Sequence, residues 1–184
     1  MSSWEQINDF LSVADIDWTP GKARGEGAEY LTEMLGYLSA ACSSLSVLSQ
    51  ELCDRAYVVA YEYIGANILS DLLTGEGVPF NRNAVLNLES DMATVREYAA
   101  MSPAVNLEKS FEHVDQLVLL FKDDDWDAYL SDSMRERRFP KLSIPDVLRL
   151  IELYKGSGLG FSMIKESRAR SKAVEALQAK LQQQ

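Results

Sequence analysis

Three alternating aspartates, Asp123, Asp125 and Asp127, are the chain's best opening for metal chemistry. A run of that spacing begins the calcium loop of an EF-hand, which requires glycine at its sixth position and glutamate at its twelfth. Those positions hold Ala128 and Met134, so calcium binding is not expected. Negative charge at the N-terminus of a short helix accounts for the carboxylates instead. His113 is the single histidine, so any His-based triad would have to use it, and no Gly-x-Ser-x-Gly elbow accompanies it. A di-metal bundle site would need two Glu-x-x-His motifs, and neither is present. Gly156, Gly158 and Gly160 fail the dinucleotide pattern because its last glycine falls on Phe161 and no strand precedes them. Gly21-Lys22 lacks the upstream glycine and following hydroxyl of a phosphate loop. Cys42 and Cys53 each sit in an apolar helical pattern and read as buried free thiols. They flank a turn near Ser49, which would bring them close and leaves a disulfide open in an oxidising setting. The expectation is a protein with no catalytic residue, no cofactor and no metal.

The elements that must position these residues are helical. Ser3 and Gln6 resemble a capping box for a short helix to about Val13, followed by a loop through Thr19-Pro20-Gly21. Tyr30, Met34, Leu35, Leu38, Cys42 and Leu45 keep helical spacing from about Glu26 to Ser46, with Gly36 as a site for a close crossing. A second helix runs from Ser49 or Gln50 to about Leu73, its wide stripe holding Leu52, Ala56, Val59, Ala60, Tyr63, Ile64, Ile68 and Leu72. So wide a stripe predicts more than one neighbour. The Thr74-to-Pro79 break ends it, and Asn81 or Asn83 caps a third helix reaching Met101. Val85, Leu88, Met92, Val95 and Ala99 face inward there, which turns Leu86, Ser90, Ala93 and Glu97 outward with Glu89 at the margin. Leu107 to Lys122 forms a fourth helix, and a short helix carries Trp126, Tyr129 and Leu130. Arg135, Arg137, Arg138 and Lys141 make a basic loop, a candidate for phosphate headgroups or simple solvation. Ser143 caps a helix with Pro145 in its first turn, running to Lys155. The segment from Phe161 to Gln184 is helical by propensity, with a sparse stripe that predicts partial or partner-dependent docking. Nothing reads as a strand. The expectation is an all-α, antiparallel bundle of about six or seven helices. It divides as an N-terminal helix and loop (1–25), a body (26–155) and a C-terminal helix (156–184).

Composition sets the outer limits. Hydrophobic content of 47% and charged content of 25% are ordinary for a globular chain of 184 residues. No apolar run approaches the length of a membrane span, the first residues do not form a secretory signal, and no Asn-x-Ser/Thr acceptor occurs. A cytoplasmic chain is the simplest expectation. The net charge of −10 is uneven. Residues 1–132 carry 7 basic and 23 acidic side chains, a net of −16, while 133–184 carry 11 and 5, a net of +6. That body argues against nucleic acid as a partner. The basic end allows an anionic membrane or an acidic protein.

One arrangement is informative as a whole. A leucine-rich helix runs into acidic-Asp125-Trp126-x-x-Tyr129-Leu130, then a basic loop and a proline-opened helix, then Phe161-Ser162-x-Ile164-Lys165 and Ser167-Arg168-x-Arg170. In order and spacing this resembles the C-terminal domain of the Sec-fifteen subunit of the exocyst, the complex that tethers secretory vesicles to the plasma membrane. The similarity covers most of residues 28–182. It implies a helical bundle of the tethering-complex rod type, a larger parent subunit, and other exocyst subunits as partners. It also implies a peripheral location at vesicles and sites of exocytosis, and binding of a GTP-loaded Rab GTPase. The family's GTPase contact is associated with the helix corresponding to 83–100, where Glu89 replaces an asparagine of related sequences. The outward residues Leu86, Glu89, Ser90 and Ala93 are therefore the candidate contact. The alternatives are a structural module that only packs against neighbouring subunits, or anionic-lipid contact through the basic C-terminal region, with Arg135, Arg137, Arg138, Lys141 and the tail lysines.

Overall fold

A computed structural model describes residues 16–47, 49–73, 77–102, 104, 107–155 and 161–182, without the side chains of 46, 69, 71 and 161–167. The expected helix from Ser3 to Val13 and the break from Gly156 to Gly160 lie outside these residues. The described residues form eight α-helices. These are α1 (Glu29–Ser46), α2 (Gln50–Leu73), α3 (Arg82–Met101), α4 (Glu112–Asp123), α5 (Trp126–Leu130), α6 (Asp132–Arg138), α7 (Ile144–Leu153) and α8 (Phe161–Leu181). A 3-10 turn over Leu107–Phe111 leads into α4. The all-α expectation holds: among the described residues the sole β feature is an isolated bridge between Phe80 and Tyr154.

The helix stripes explain the packing, with one change of phase. Leu107, Phe111, Val114, Leu117, Val118 and Phe121 are all buried, as their spacing requires. On α1 the buried set is Leu31, Met34, Leu35, Leu38 and Cys42, with Tyr30 and Leu45 half-covered. On α2 the stripe is turned. Cys53, Tyr57, Ala60, Tyr61, Ile64 and Ile68 face the core, whereas Leu52 and Val59 are exposed. The helix is apolar on nearly every side, so periodicity alone does not fix its phase; the bulky Tyr57 and Tyr61 do.

The close crossing also lies elsewhere than expected. A Cβ on Gly36 would meet nothing within 4 Å, but on Gly65 it would lie 2.6 Å from the Ser110 carbonyl oxygen. Gly65 thus lets the 3-10 turn press onto α2, where Phe111 meets Tyr61 edge-on at 5.7 Å. Both cysteines are buried and free, and Cys53 Sγ donates to the Cys42 carbonyl at 3.1 Å. Burial, then the neighbouring Cys53, pushes the Cys42 thiol up to about 11, which keeps it protonated at neutral pH.

The acidic segment around Trp126 is held through its aromatic ring and not through side-chain capping. Asp125 precedes α5 without capping it; its carboxylate pairs with Arg138, while Asp124 accepts from Trp126 Nε1 at 3.2 Å. Asp124 sits in the left-handed region at φ 51, ending α4. Phe121 is the centre of an aromatic cluster, 5.2 Å from Trp126, 5.3 Å from Phe80 and 5.1 Å from Tyr154. Hydrogen bonds from Phe80 N to Leu153 O and from Lys155 N to Phe80 O stitch the entry of α3 to the end of α7. Ser143 caps α7 as expected, accepting from Asp146 N, with Pro145 in the first turn. The last helix is docked: Ala173 and Leu177 are buried, α8 packs on α5 and α7, and Arg170 stacks 4.9 Å over Tyr154.

Candidate functional site

The outer face of α3 is held from both sides. Its N-cap is Asn81, whose side chain accepts from Ala84 N at 2.9 Å. On one flank a strap of residues 16–28 is fastened to it. Asn81 and Asn83 both donate to the Pro20 carbonyl at 3.0 Å, and Arg24 N donates to Asn87 Oδ1 at 2.7 Å. Asp91 anchors the strap. It accepts from Ala28 N at 2.7 Å and receives Arg24 Nη2 on both carboxylate oxygens at 2.8 Å. Gly27 lies against the Thr94 side chain, which leaves no room for a Cβ there. Burial raises the Asp91 pKa, outweighing the Ala28 hydrogen bond and the Arg24 charge.

On the opposite flank α4 is tied to α3 by two ion pairs. Lys122 Nζ reaches Glu89 Oε1 at 2.6 Å, and Arg96 pairs with Asp115. The hydrogen bond to Glu89 chiefly raises the Lys122 pKa. Between these pairs lies a groove of about 150 Å³, with Met92, Val118 and Leu119 in its walls.

The four sequence-derived positions follow one line along this helix. Ala93 is exposed, whereas Leu86, Glu89 and Ser90 are half-buried, so the face is less open than helical spacing suggests. Ser90 Oγ donates to the Leu86 carbonyl at 3.2 Å, and Glu89 is engaged by Lys122. The face is therefore a shallow apolar and small-residue surface edged by a paired carboxylate, suited to contacting another protein and carrying no nucleophile or base. Sequence reasoning missed Asp91. Its signal was available, because Asp91 falls inside the buried stripe between Leu88 and Val95.

The basic positions are not a loop. Arg135, Arg137 and Arg138 belong to α6, where Asp132 in the first turn and three arginines in the last suit the helix dipole. Asp132 pairs with Arg135 at 2.8 Å and with Lys180 at 2.6 Å, and these partners lower its pKa, Lys180 first. Arg138 is committed to Asp125, leaving exposed Arg137 and Lys141 as the outward cations of the set. His113 is exposed on α4. Among the described residues no group of three or more His, Cys, Asp or Glu could hold a metal ion, and no helix is long and apolar enough to cross a membrane.

Comparison with known proteins adds a family. A family model described as exocyst complex subunit Sec15 C-terminal matches residues 4–153. Exocyst complex component 6 of Mus musculus is 23% identical over 183 residues, covering 94% of this chain and 23% of its own. Exocyst complex component SEC15A of Arabidopsis thaliana is 24% identical over 195 residues, covering 97% and 25%. Exocyst complex component 6 of Dictyostelium discoideum is 21% identical, covering 92% and 18%. The chain thus spans a quarter or less of the length of these relatives. No solved structure matches.

Proposed function

The chain belongs to the Sec15 C-terminal family of exocyst complex subunits, and on that premise we propose that it is a non-catalytic vesicle-tethering domain. Its role is to bind a Rab-type GTPase in the GTP form through the outer face of α3 while other surfaces join it to exocyst subunits. It acts in the cytoplasm, peripherally, at vesicles and sites of exocytosis.

The observation that carries this reading is the rigid presentation of α3. The Asp91 strap on one side and the Glu89–Lys122 and Arg96–Asp115 pairs on the other fix the helix. A fixed face needs little ordering on binding, which favours affinity. GTPase switch segments become ordered with GTP, and Leu86 and Ala93 offer them apolar contact between polar edges. The lipid reading is weakened because Arg135 and Arg138 are engaged within the fold. A pulldown of purified Rab GTPases loaded with GTP analogue or GDP tests the proposal. Preference for the GTP form supports it, and capture indifferent to nucleotide favours a purely structural module.

A further inference from the structure

The groove between α3 and α4 has the size and lining of a seat for one side chain. Its ends are marked by the Glu89–Lys122 and Arg96–Asp115 pairs. On each helix the two paired residues are seven positions apart, about 10 Å along the axis, and the pairings set an antiparallel register. Between them Met92 and Val118 are buried in the walls and Leu119 is half-buried. The four charged groups bond to one another across the two helices. The walls are therefore left with apolar surface to offer. Exposed Asp123 also lines the groove.

Volume and lining select the occupant. The groove holds about 150 Å³, below the roughly 300–1,000 Å³ of a site for a cofactor or drug-sized ligand. A cavity of roughly 150 Å³ lined by aliphatic side chains accepts a single benzene ring. An aromatic anchor in an apolar seat, ringed by contacts that exclude water, is the form that binding hot spots take. The two ion pairs are partly exposed, so they contribute little alone, but a partner lying over them would close that ring. Asp123 can accept from the O–H or N–H of a Tyr or Trp. Glu89 belongs both to the groove and to the proposed contact line, so the two surfaces are continuous. We infer that the α3–α4 groove takes one aromatic side chain of the GTP-form GTPase, seated between the two ion pairs. This rests on the proposed GTPase reading and adds to it the chemistry of the contact.

The test places a reporter thiol in the seat. In Leu119→Cys of the 184-residue chain the new thiol is half-exposed, whereas Cys42 and Cys53 are buried and form an unreactive background. Labelling by monobromobimane is followed alone and with a saturating Rab GTPase that the wild-type chain captures. The inference expects the free chain to label. GTP-analogue-loaded GTPase should slow labelling roughly tenfold or more, and GDP-loaded GTPase should leave it unchanged. The labelled chain, its seat filled, should bind the GTPase roughly tenfold or more weakly than the unlabelled variant, by calorimetry. Leu119→Trp, which fills the seat from within, should lose as much, with circular dichroism melts checking that both variants keep the fold. A thiol that resists labelling in the free chain shows that the fold itself covers the groove, and overturns the inference. Labelling that saturating GTPase does not slow overturns it as well, as does undiminished binding by the labelled chain. If Leu86→Asp with Ala93→Asp still weakens binding in those cases, the α3 face stands and the groove alone falls. Capture indifferent to nucleotide removes both. A wild-type dimer, by sedimentation equilibrium, that Leu119→Trp dissociates makes a second copy the occupant and also overturns the inference.

Discussion

Replacing either of two helical glycines with alanine should move stability in opposite directions. At Gly65 the new Cβ would sit 2.6 Å from the Ser110 carbonyl oxygen and 3.4 Å from Phe111 Cδ1, and real Cβ contacts do not fall below 3.0 Å. The 3-10 backbone must therefore retreat by about 0.4 Å or more, loosening the Phe111–Tyr61 contact. Overpacking of this kind costs about 1–3 kcal/mol, offset by about 1 kcal/mol of improved helix propensity. The net expectation for Gly65→Ala is a loss of up to about 2 kcal/mol. At Gly36 nothing lies within 4 Å of the new atom, so only the propensity term acts and Gly36→Ala gains about 0.5–1 kcal/mol. Urea unfolding followed by circular dichroism reads both. With a slope of about 2 kcal/mol/M, the midpoint falls by up to about 1 M for Gly65→Ala and rises by a few tenths for Gly36→Ala. If Gly65→Ala stabilises as much as Gly36→Ala, the turn does not press on α2 and the reasoning fails.

Removing the strap anchor by Asp91→Ala leaves Arg24 and Ala28 N–H without their acceptor and should cost about 2–3 kcal/mol, measured by urea unfolding. Asp91 also has a distinctive pH signature. Burial raises its folded pKa above the unfolded value near 3.8, so between the two the folded state holds more protons. The proton-linked part of its contribution to stability is therefore fully present below the unfolded pKa and is lost as pH rises through the folded pKa. On acidification toward pH 4, wild type should gain relative to Asp91→Asn; a pH-independent difference contradicts this. Leu177→Ala should cost about 2–4 kcal/mol, because Leu177 is fully buried beneath α8. It should also raise amide exchange selectively in that helix, whereas an undocked α8 would show neither effect.

How much was legible in the sequence depends on how one-sided each helix is. The Leu107–Phe121 stripe is apolar mainly on one face, so spacing placed six of its buried residues and missed Leu120. Asn81 and Ser143 act as caps because a short polar side chain before an apolar run has few other roles there. On α2, with apolar residues on both sides, periodicity chose a phase that exposed Leu52 and Val59 contradict. The arginine-rich α6 has no buried residue and therefore no stripe to find; Asp132–Arg135 pairing and the ends of the peptide dipole hold it instead. On α3 the positions could be assigned to a face, but the openness of that face could not. The side chains that narrow it, Lys122 and the strap around Arg24, come from distant parts of the chain. The burial of Asp91 could be read from its place in the stripe, but its partners, 63 and 67 residues away, could not.

The central claim, that the outer face of α3 binds a GTPase in its GTP form, is tested most directly by titration calorimetry with a GTP-analogue-loaded Rab that the wild-type chain captures. The comparison is wild type against Leu86→Asp with Ala93→Asp, with circular dichroism confirming an unchanged melt. The account predicts a loss of affinity of roughly tenfold or more, with the melt preserved. Unchanged affinity in a folded double variant would contradict it and move the GTPase contact off α3.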